Sequence, residues 1–380
     1  MKVRSYPYTL TVLLLLALAL VASACGGGDE PAAANNPTSA PAQGQSDTST
    51  DSPTEAPDQE APSGEPTEAK KETSPEQRGG KIGAPKAHAV ADPQYARPKR
   101  QPLAVMLENH PDSRPQTGLD KADVVYEAPA EYGIPRFLAI YSSEEAPVLG
   151  PVRSARSYYV AWASEYDPVY IHAGGSPQSL SWLKQLDVAS MDALRYGGSA
   201  FERVTDRQAP HNLYTDTRKL RETIAKDPEL KSKGAWGGLR FSKKFTVGSE
   251  EGREVRVTYD TGYEVAYEYD ERAGVYNRLM LGKPHLDRES KEQLSGSVVI
   301  VQTVRMWPLK DDQYGRLGAD IQDKGPALIF QDGRVIDGFW EKEKRDSETL
   351  YTTAEGEPVA LKPGKVWIQI VPKAGTKIER

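Results

Sequence analysis

The 380-residue sequence predicts an α/β layered domain with a mixed, partly parallel sheet, then an all-β domain, both carried behind a disordered N-terminal tether. Three observations lead there. Residues 26–94 contain no Phe, Trp or Tyr and are rich in Pro, Ala, Ser, Thr, Gly and Glu, a composition too poor in apolar surface to offset its ordering entropy. Between about 99 and 245, short apolar runs mix with stretches of helical spacing. From 246 to 380 only short strand-like runs and turn residues remain. The folded part exceeds the usual size of one hydrophobic core, so two domains are expected, 99–245 and 246–380.

The elements follow in order. Leu103–Leu107, Val124–Tyr126 and Phe137–Tyr141 read as buried strands. Ser154 to Tyr166 has helical spacing, with Tyr158, Trp162 and Tyr166 four apart on one face. Val169–Ile171 is a strand running into Gly174-Gly175. Ser176 then reads as an N-cap and Pro177 as the first residue of a helix carrying Leu180, Leu183 and Leu186. A last helix is predicted over Thr217–Lys226. In the second segment Val255, Val257 and Tyr259 alternate with polar residues, as do Val265, Tyr267 and Tyr269, with Asp260-Thr261-Gly262 as the turn. Val298–Val301 reads as a central strand, and Asp332-Gly333 as a two-residue hairpin turn between Ala327–Phe330 and Arg334–Ile336. Lys365–Val371 is expected to close an all-β domain of about seven strands, and Trp307, Trp340 and Trp367 are expected in its core.

Ahead of the tether, Lys2 and Arg4 precede an apolar run from Leu10 to Val21, a signal-peptide h-region in length. It ends in Leu20-Val21-Ala22-Ser23-Ala24-Cys25, which resembles a bacterial lipobox with Ala22 where Leu is usual. The implied chemistry is a diacylglycerol thioether on Cys25, with residues 1–24 removed as a lipoprotein signal peptide and 25–98 left as tether. The alternative is cleavage after Ala24 with Cys25 left as a free thiol. Cys25 is the sole cysteine, so no disulfide partner exists.

Gly26–Gly80 carries 11 acidic and 3 basic residues, while the whole chain has a net charge of −6. With the two basic residues of the signal peptide counted, the remainder from 81 onward is neutral. A neutral head argues against nucleic-acid binding, which needs a basic field to release counterions. The tether has a root-mean-square reach on the order of 45 Å, enough to lift a head off a membrane surface.

The densest polar information lies between Glu108 and Asn212. It comprises Arg114-Pro115-Gln116-Thr117-Gly118-Leu119, the Asp123–Glu127 run, Glu131, Arg136, Gly150-Pro151-Val152-Arg153-Ser154-Ala155-Arg156, His172-Ala173-Gly174-Gly175-Ser176-Pro177, Arg207 and Pro210-His211-Asn212. In all of these but Glu131 and Arg207, and in Gly282–Asp287, Trp340 and the closing Pro363–Pro372, the chain resembles the YerB-like bacterial lipoproteins. That family pairs an N-terminal domain of unknown function with a characteristic C-terminal one. The chain departs from it at Tyr132-Gly133-Ile134-Pro135-Arg136, where relatives more often carry Gly-Gly-Ile-Thr-Arg. The resemblance implies a lipid-anchored extracytoplasmic protein and brings no biochemical activity with it.

The residues themselves suggest an anion site. Arg153 and Arg156, three apart near a predicted helix start, would share a face, and guanidinium forks suit phosphate or carboxylate. Gly174-Gly175-Ser176 is a strand-to-helix turn where backbone N–H groups face outward. Arg114, Arg136, Arg207, His172, His211 and Asn212 complete the candidate set. The competing reading is structural ion pairing of these arginines with Asp123, Glu127 or Glu131. The five histidines form no recognisable metal-ligand spacing, so neither metal nor cofactor is predicted. A Ser176–His nucleophile pair is weighed against a simple N-cap, and no Gly-x-Ser-x-Gly elbow supports it. Two functions remain: a binding or scaffold lipoprotein that recognises an anionic cell-envelope ligand or a partner protein, or an envelope enzyme acting on phosphorylated polymers or lipid carriers.

Overall fold

The structure, a computed structural model, describes residues 98–380. The signal peptide, Cys25 and all of the tether but its last residue lie outside the described residues.

The first half supplies β1 (Leu103–Leu107), β2 (Val124–Pro129), β3 (Pro135–Tyr141), α1 (Ser157–Ser164), β4 (Val169–His172), α2 (Pro177–Gln185), β5 (Ser190–Asp192), α3 (Ala193–Ala200) and α4 (Thr217–Ile224). The second supplies β6 (Glu254–Tyr259), β7 (Glu264–Asp270), β8 (Val275–Met280), β9 (Val298–Val304), β10 (Lys324–Gln331), β11 (Arg334–Glu341), β12 (Leu350–Thr353), β13 (Val366–Pro372) and β14 (Thr376–Glu379). An 11-stranded mixed sheet runs β12-β11-β10-β9-β13-β2-β3-β1-β4-β5, with Glu250–Glu251 pairing β11 beside that path. A second, 6-stranded sheet contains β8-β7-β6-β14. A short arm, Met306–Pro308 paired with Leu317–Ala319, projects between β9 and β10 in sequence.

The segments expected as successive domains contribute to one sheet. β13 lies parallel to β2, with Val366 opposite Val124 and Gln369 opposite Glu127, and parallel to β9 on its other side. All described residues fall within one compact unit. Strand alternation explains the two cores. Leu103, Val105, Val125, Phe137, Val299 and Trp367 face the second sheet, α3 and α4, packing on Val257, Val265, Tyr267 and Leu220. Ala104, Met106, Tyr126, Ile140, Ile300 and Ile368 face α1 and α2. Because both faces are covered, β1, β2 and β3 are buried along their whole length.

Several expectations change. α1 is shorter than the Ser154–Tyr166 pattern and is buried on every side from Ser157 to Ala163, not along one face. The final strand is β14 rather than Lys365–Val371, and the second half holds more than seven strands. Trp340 and Trp367 are core residues, but Trp307 lies on the arm, 37% exposed, under the Arg305 guanidinium. The Asp332-Gly333 turn forms as expected, both residues at positive φ (54° and 71°) between β10 and β11.

Two buried ion pairs join the halves. On the second-sheet side, Arg278 of β8 and Glu127 of β2 are both fully buried with Nη2 and Oε2 2.6 Å apart. Glu127 also accepts from Tyr263 Oη at 2.7 Å and Asn109 Nδ2 at 3.0 Å. Arg278 lies over the Trp367 ring, 4.4 Å from its centroid, and donates from Nε to His285 Nδ1 at 3.0 Å. Burial opposes the Arg278 charge, but Glu127, with Tyr267 and Tyr263, outweighs it and raises the pKa. On the α1 side, Lys342 Nζ meets Glu165 Oε1 at 2.7 Å, and Thr349 donates to the same carboxylate from N and Oγ1 at 2.9 and 2.7 Å.

Removing one partner strands the other. Arg278→Met is expected to cost about 3–5 kcal/mol in urea unfolding by leaving Glu127 buried and uncompensated. Adding Glu127→Gln should cost less than the two single losses summed, because both single changes remove one shared interaction. Additive losses would show that the pair does not act as a pair.

Candidate functional site

β1, β2 and β4 run in the same direction and β3 opposes them. Their ends therefore meet on one side of the sheet: Glu108-Asn109-His110 after β1, Glu131 after β2, Arg136 opening β3, and Gly174-Gly175-Ser176 after β4. A cleft of about 680 Å3 opens there, lined among others by Glu108, His110, Glu131, Arg136, Arg153, Arg156 and Ser176, with Tyr314 and Arg316 reaching in from the arm.

Arg153 and Arg156 arrive by a different route from the one their spacing suggests. The strip before α1 is extended, not helical. Arg153 N–H donates to Met106 O at 2.9 Å, Ala173 N–H donates to Arg153 O at 3.0 Å, and Ala155 bridges Gly175. The strip is thus wedged between the ends of β1 and β4. Arg156 is the N-cap residue of α1, with extended backbone. A side chain at Gly175 would press a Cβ to within 2.6 Å of Ser179 Oγ and 3.2 Å of Ala155 Cβ, so the close approach requires glycine.

The cleft arginines share carboxylates. Arg153 Nε donates to Glu108 Oε1 at 2.8 Å, and among the described residues its two terminal nitrogens have no hydrogen-bond partner. Arg136 Nη2 and Arg156 both contact Glu131, the former at 2.6 Å. Three arginines therefore face two carboxylates, while Arg316 is engaged by Asp312. Burial, and then the neighbouring Arg136, lower the Arg156 pKa despite Glu131. The cleft is thus short of negative charge.

The other candidates hold loops in place. Arg114 donates to Asn109 O and Oδ1 at 2.8–3.1 Å and lies over Tyr263. Arg207 donates to the Ser113 and Pro115 carbonyls and to Tyr214 Oη. Asn212 binds the Val204 and Arg207 carbonyls and accepts from Arg203. Asp123 receives the Ser142 and Ser143 N–H groups, and Glu127 belongs to the buried Arg278 pair. Ser176 is the N-cap of α2, its Oγ accepting from Ser179 N at 3.1 Å, and Gly174 N–H donates to Asp192. His172 is buried beneath that turn, with Nδ1 2.8 Å from Gly174 O and Nε2 unpartnered.

Sequence spacing missed two groupings. The Arg278–His285 contact carries no spacing signal in the sequence. His211, expected to stand without metal-ligand neighbours, is brought beside His110 and Asp112: one ligand atom from each of the three lies within 4.8 Å of the others. No local pattern could reveal this, because about a hundred residues separate His110 from His211 in the chain.

Two family descriptions match the chain: "Protein of unknown function (DUF3048) N-terminal domain" over residues 90–231 and "Protein of unknown function (DUF3048) C-terminal domain" over residues 255–368. The chain is 35% identical over 277 residues to "Putative lipoprotein YerB" of Bacillus subtilis (strain 168), covering 72% of this chain and 82% of that protein. The crystal structure of the YerB protein from Bacillus subtilis covers 78% of this chain and 100% of its own, with 32% identity and a TM-score of 0.66.

Burial holds both His172 and His285 below the ordinary histidine value of 6.5, and for His285 the nearby Arg278 and Arg114 add to it. As pH falls through 6.5 the unfolded chain takes up these protons and the folded chain does not, so acid favours unfolding. The melting temperature should fall between pH 7.5 and 5.5, and His172→Gln should make that slope shallower. An unchanged slope in the variant would show that His172 is not held neutral.

Proposed function

The chain belongs to the DUF3048 family, and on that premise we propose that it is a membrane-anchored extracytoplasmic lipoprotein whose cleft binds an anionic cell-envelope ligand. The anchor rests on the lipobox-like run ending at Cys25 and on the similarity to a protein named as a lipoprotein. Among the described residues no helix is long and apolar enough to cross a membrane.

The observation that carries the ligand reading is Arg153. Its Nε is fixed by a buried carboxylate while its outer two nitrogens make no hydrogen bond among the described residues. A guanidinium held this way is pre-organised for a bidentate contact with phosphate or carboxylate. Arg156 and the capped start of α2 lie on the same cleft and favour the same charge. The exposed Tyr132 and Tyr314 give the rim an aromatic surface suited to the organic part of such a ligand.

Pyrophosphate, isoprenyl phosphates and wall fragments, each added to the purified chain, separate the readings. A rise in melting temperature with a phosphorylated probe is expected, and Arg153→Ala should weaken its binding on the order of 10- to 100-fold, the worth of one charge-assisted contact. The variant should melt below the wild type without ligand, because Glu108, 5% exposed, loses its arginine, so binding is compared at a temperature where both chains are folded. No response to any anion would remove the ligand reading in favour of a partner protein. Release of phosphate from a probe would replace it with the enzymatic reading.

A further inference from the structure

At the rim of the cleft, beyond the arginines, two histidines and an aspartate converge. The His110 and His211 rings stack with centroids 4.7 Å apart and planes 17° from parallel. Asp112 Oδ2 lies 3.5 Å from His110 Nδ1 and 3.9 Å from His211 Nε2. With bonds of about 2.0–2.1 Å, a tetrahedral metal spaces its ligand atoms about 3.4 Å apart, so small side-chain shifts would close the set.

A second observation bears on the same cluster. Glu108, only 5% exposed, lies with Oε2 2.9 Å from His211 Nδ1, and its Oε1 is held by Arg153. A carboxylate accepting from one imidazole nitrogen fixes the tautomer and leaves the other nitrogen free to ligate. This is the arrangement that orients histidines at metal centres. Here the free nitrogen is Nε2, the one nearer Asp112. We propose that His110, Asp112 and His211 bind one divalent cation of the zinc class, with Glu108 orienting His211. Two imidazoles and a carboxylate suit zinc over magnesium or calcium, which prefer oxygen donors. Three protein ligands leave a coordination position for water or an anionic ligand. Because Glu108 and His110 themselves line the cleft, that position opens at its rim. The site does not depend on the anion reading of the arginines and is measured without any anion.

The test uses the full chain, stripped with a chelator and dialysed against zinc. About one zinc per chain is expected by elemental analysis, and cobalt in its place should give the visible absorption of a low-coordinate nitrogen–oxygen site. Asp112→Ala should abolish binding while leaving the melting temperature unchanged, because that side chain is 71% exposed and makes no buried contact. His211→Ala should also abolish it, and Glu108→Gln should weaken it about 10- to 100-fold. Failure of the wild type to retain zinc would overturn the proposal. So would retention of zinc by both folded Asp112→Ala and His211→Ala chains, which would place the metal elsewhere.

Discussion

A guanidinium and a carboxylate meet out of reach of water where β8 crosses beneath β2, and the rest of the head is arranged around them. Burying Arg278 and Glu127 removes strong hydration from both, a loss offset only if every remaining donor and acceptor finds a partner. The partners come from both halves of the chain. Tyr263, Tyr267, His285 and Gln369 close the set from one side, Asn109 and Gln116 from the other. His285 must be neutral to accept from Arg278 through Nδ1 and donate from Nε2 to Gln116, and its burial beside two arginines keeps it so. The pair therefore adds a buried polar join to the one that β13 makes by pairing with β2.

The same network reaches the cleft through Asn109. Its amide donates to Glu127 and Tyr263, and its Oδ1 accepts from Arg114 and Gln116. All of its capacity is committed, so the backbone at the end of β1 is pinned. Glu108 and His110, on either side, are held at the rim as a consequence. Two of the five arginines that looked like ligand groups serve this pinning: Arg114 and Arg207 tie the 109–115 loop to the wall of the molecule. What stays available is the outer end of Arg153 and a surplus of one positive charge among three arginines and two carboxylates.

The sequence made local features legible. Period-two alternation marked β6 and β7, Asp332-Gly333 marked the hairpin, and the Ser176-Pro177 start of α2 was readable because capping is decided within four residues. Long-range pairing was not readable. β13 reaches β2 across some 240 residues, and nothing in either apolar run names its neighbour. Ser154–Arg156, helical by spacing, is extended because the strip it belongs to bonds to the ends of β1 and β4, tertiary partners that override spacing. Arg278, a charged residue, is fully buried while the aromatic Trp307, expected in the core, is exposed, since polarity predicts burial only when no partner is waiting. The His110–Asp112–His211 grouping depends on two loops closing over the end of β1, which no motif spacing encodes.

If the cleft is a preformed anion site, its geometry should exist before any natural ligand is known. The most direct measurement is an anomalous difference map from crystals of the head soaked in tungstate. A peak within hydrogen-bonding distance of the outer nitrogens of Arg153, facing Arg156 and the start of α2, is the predicted result. Tungstate bound elsewhere on the surface, with the cleft holding only water and Arg153 turned onto a protein acceptor, would contradict it.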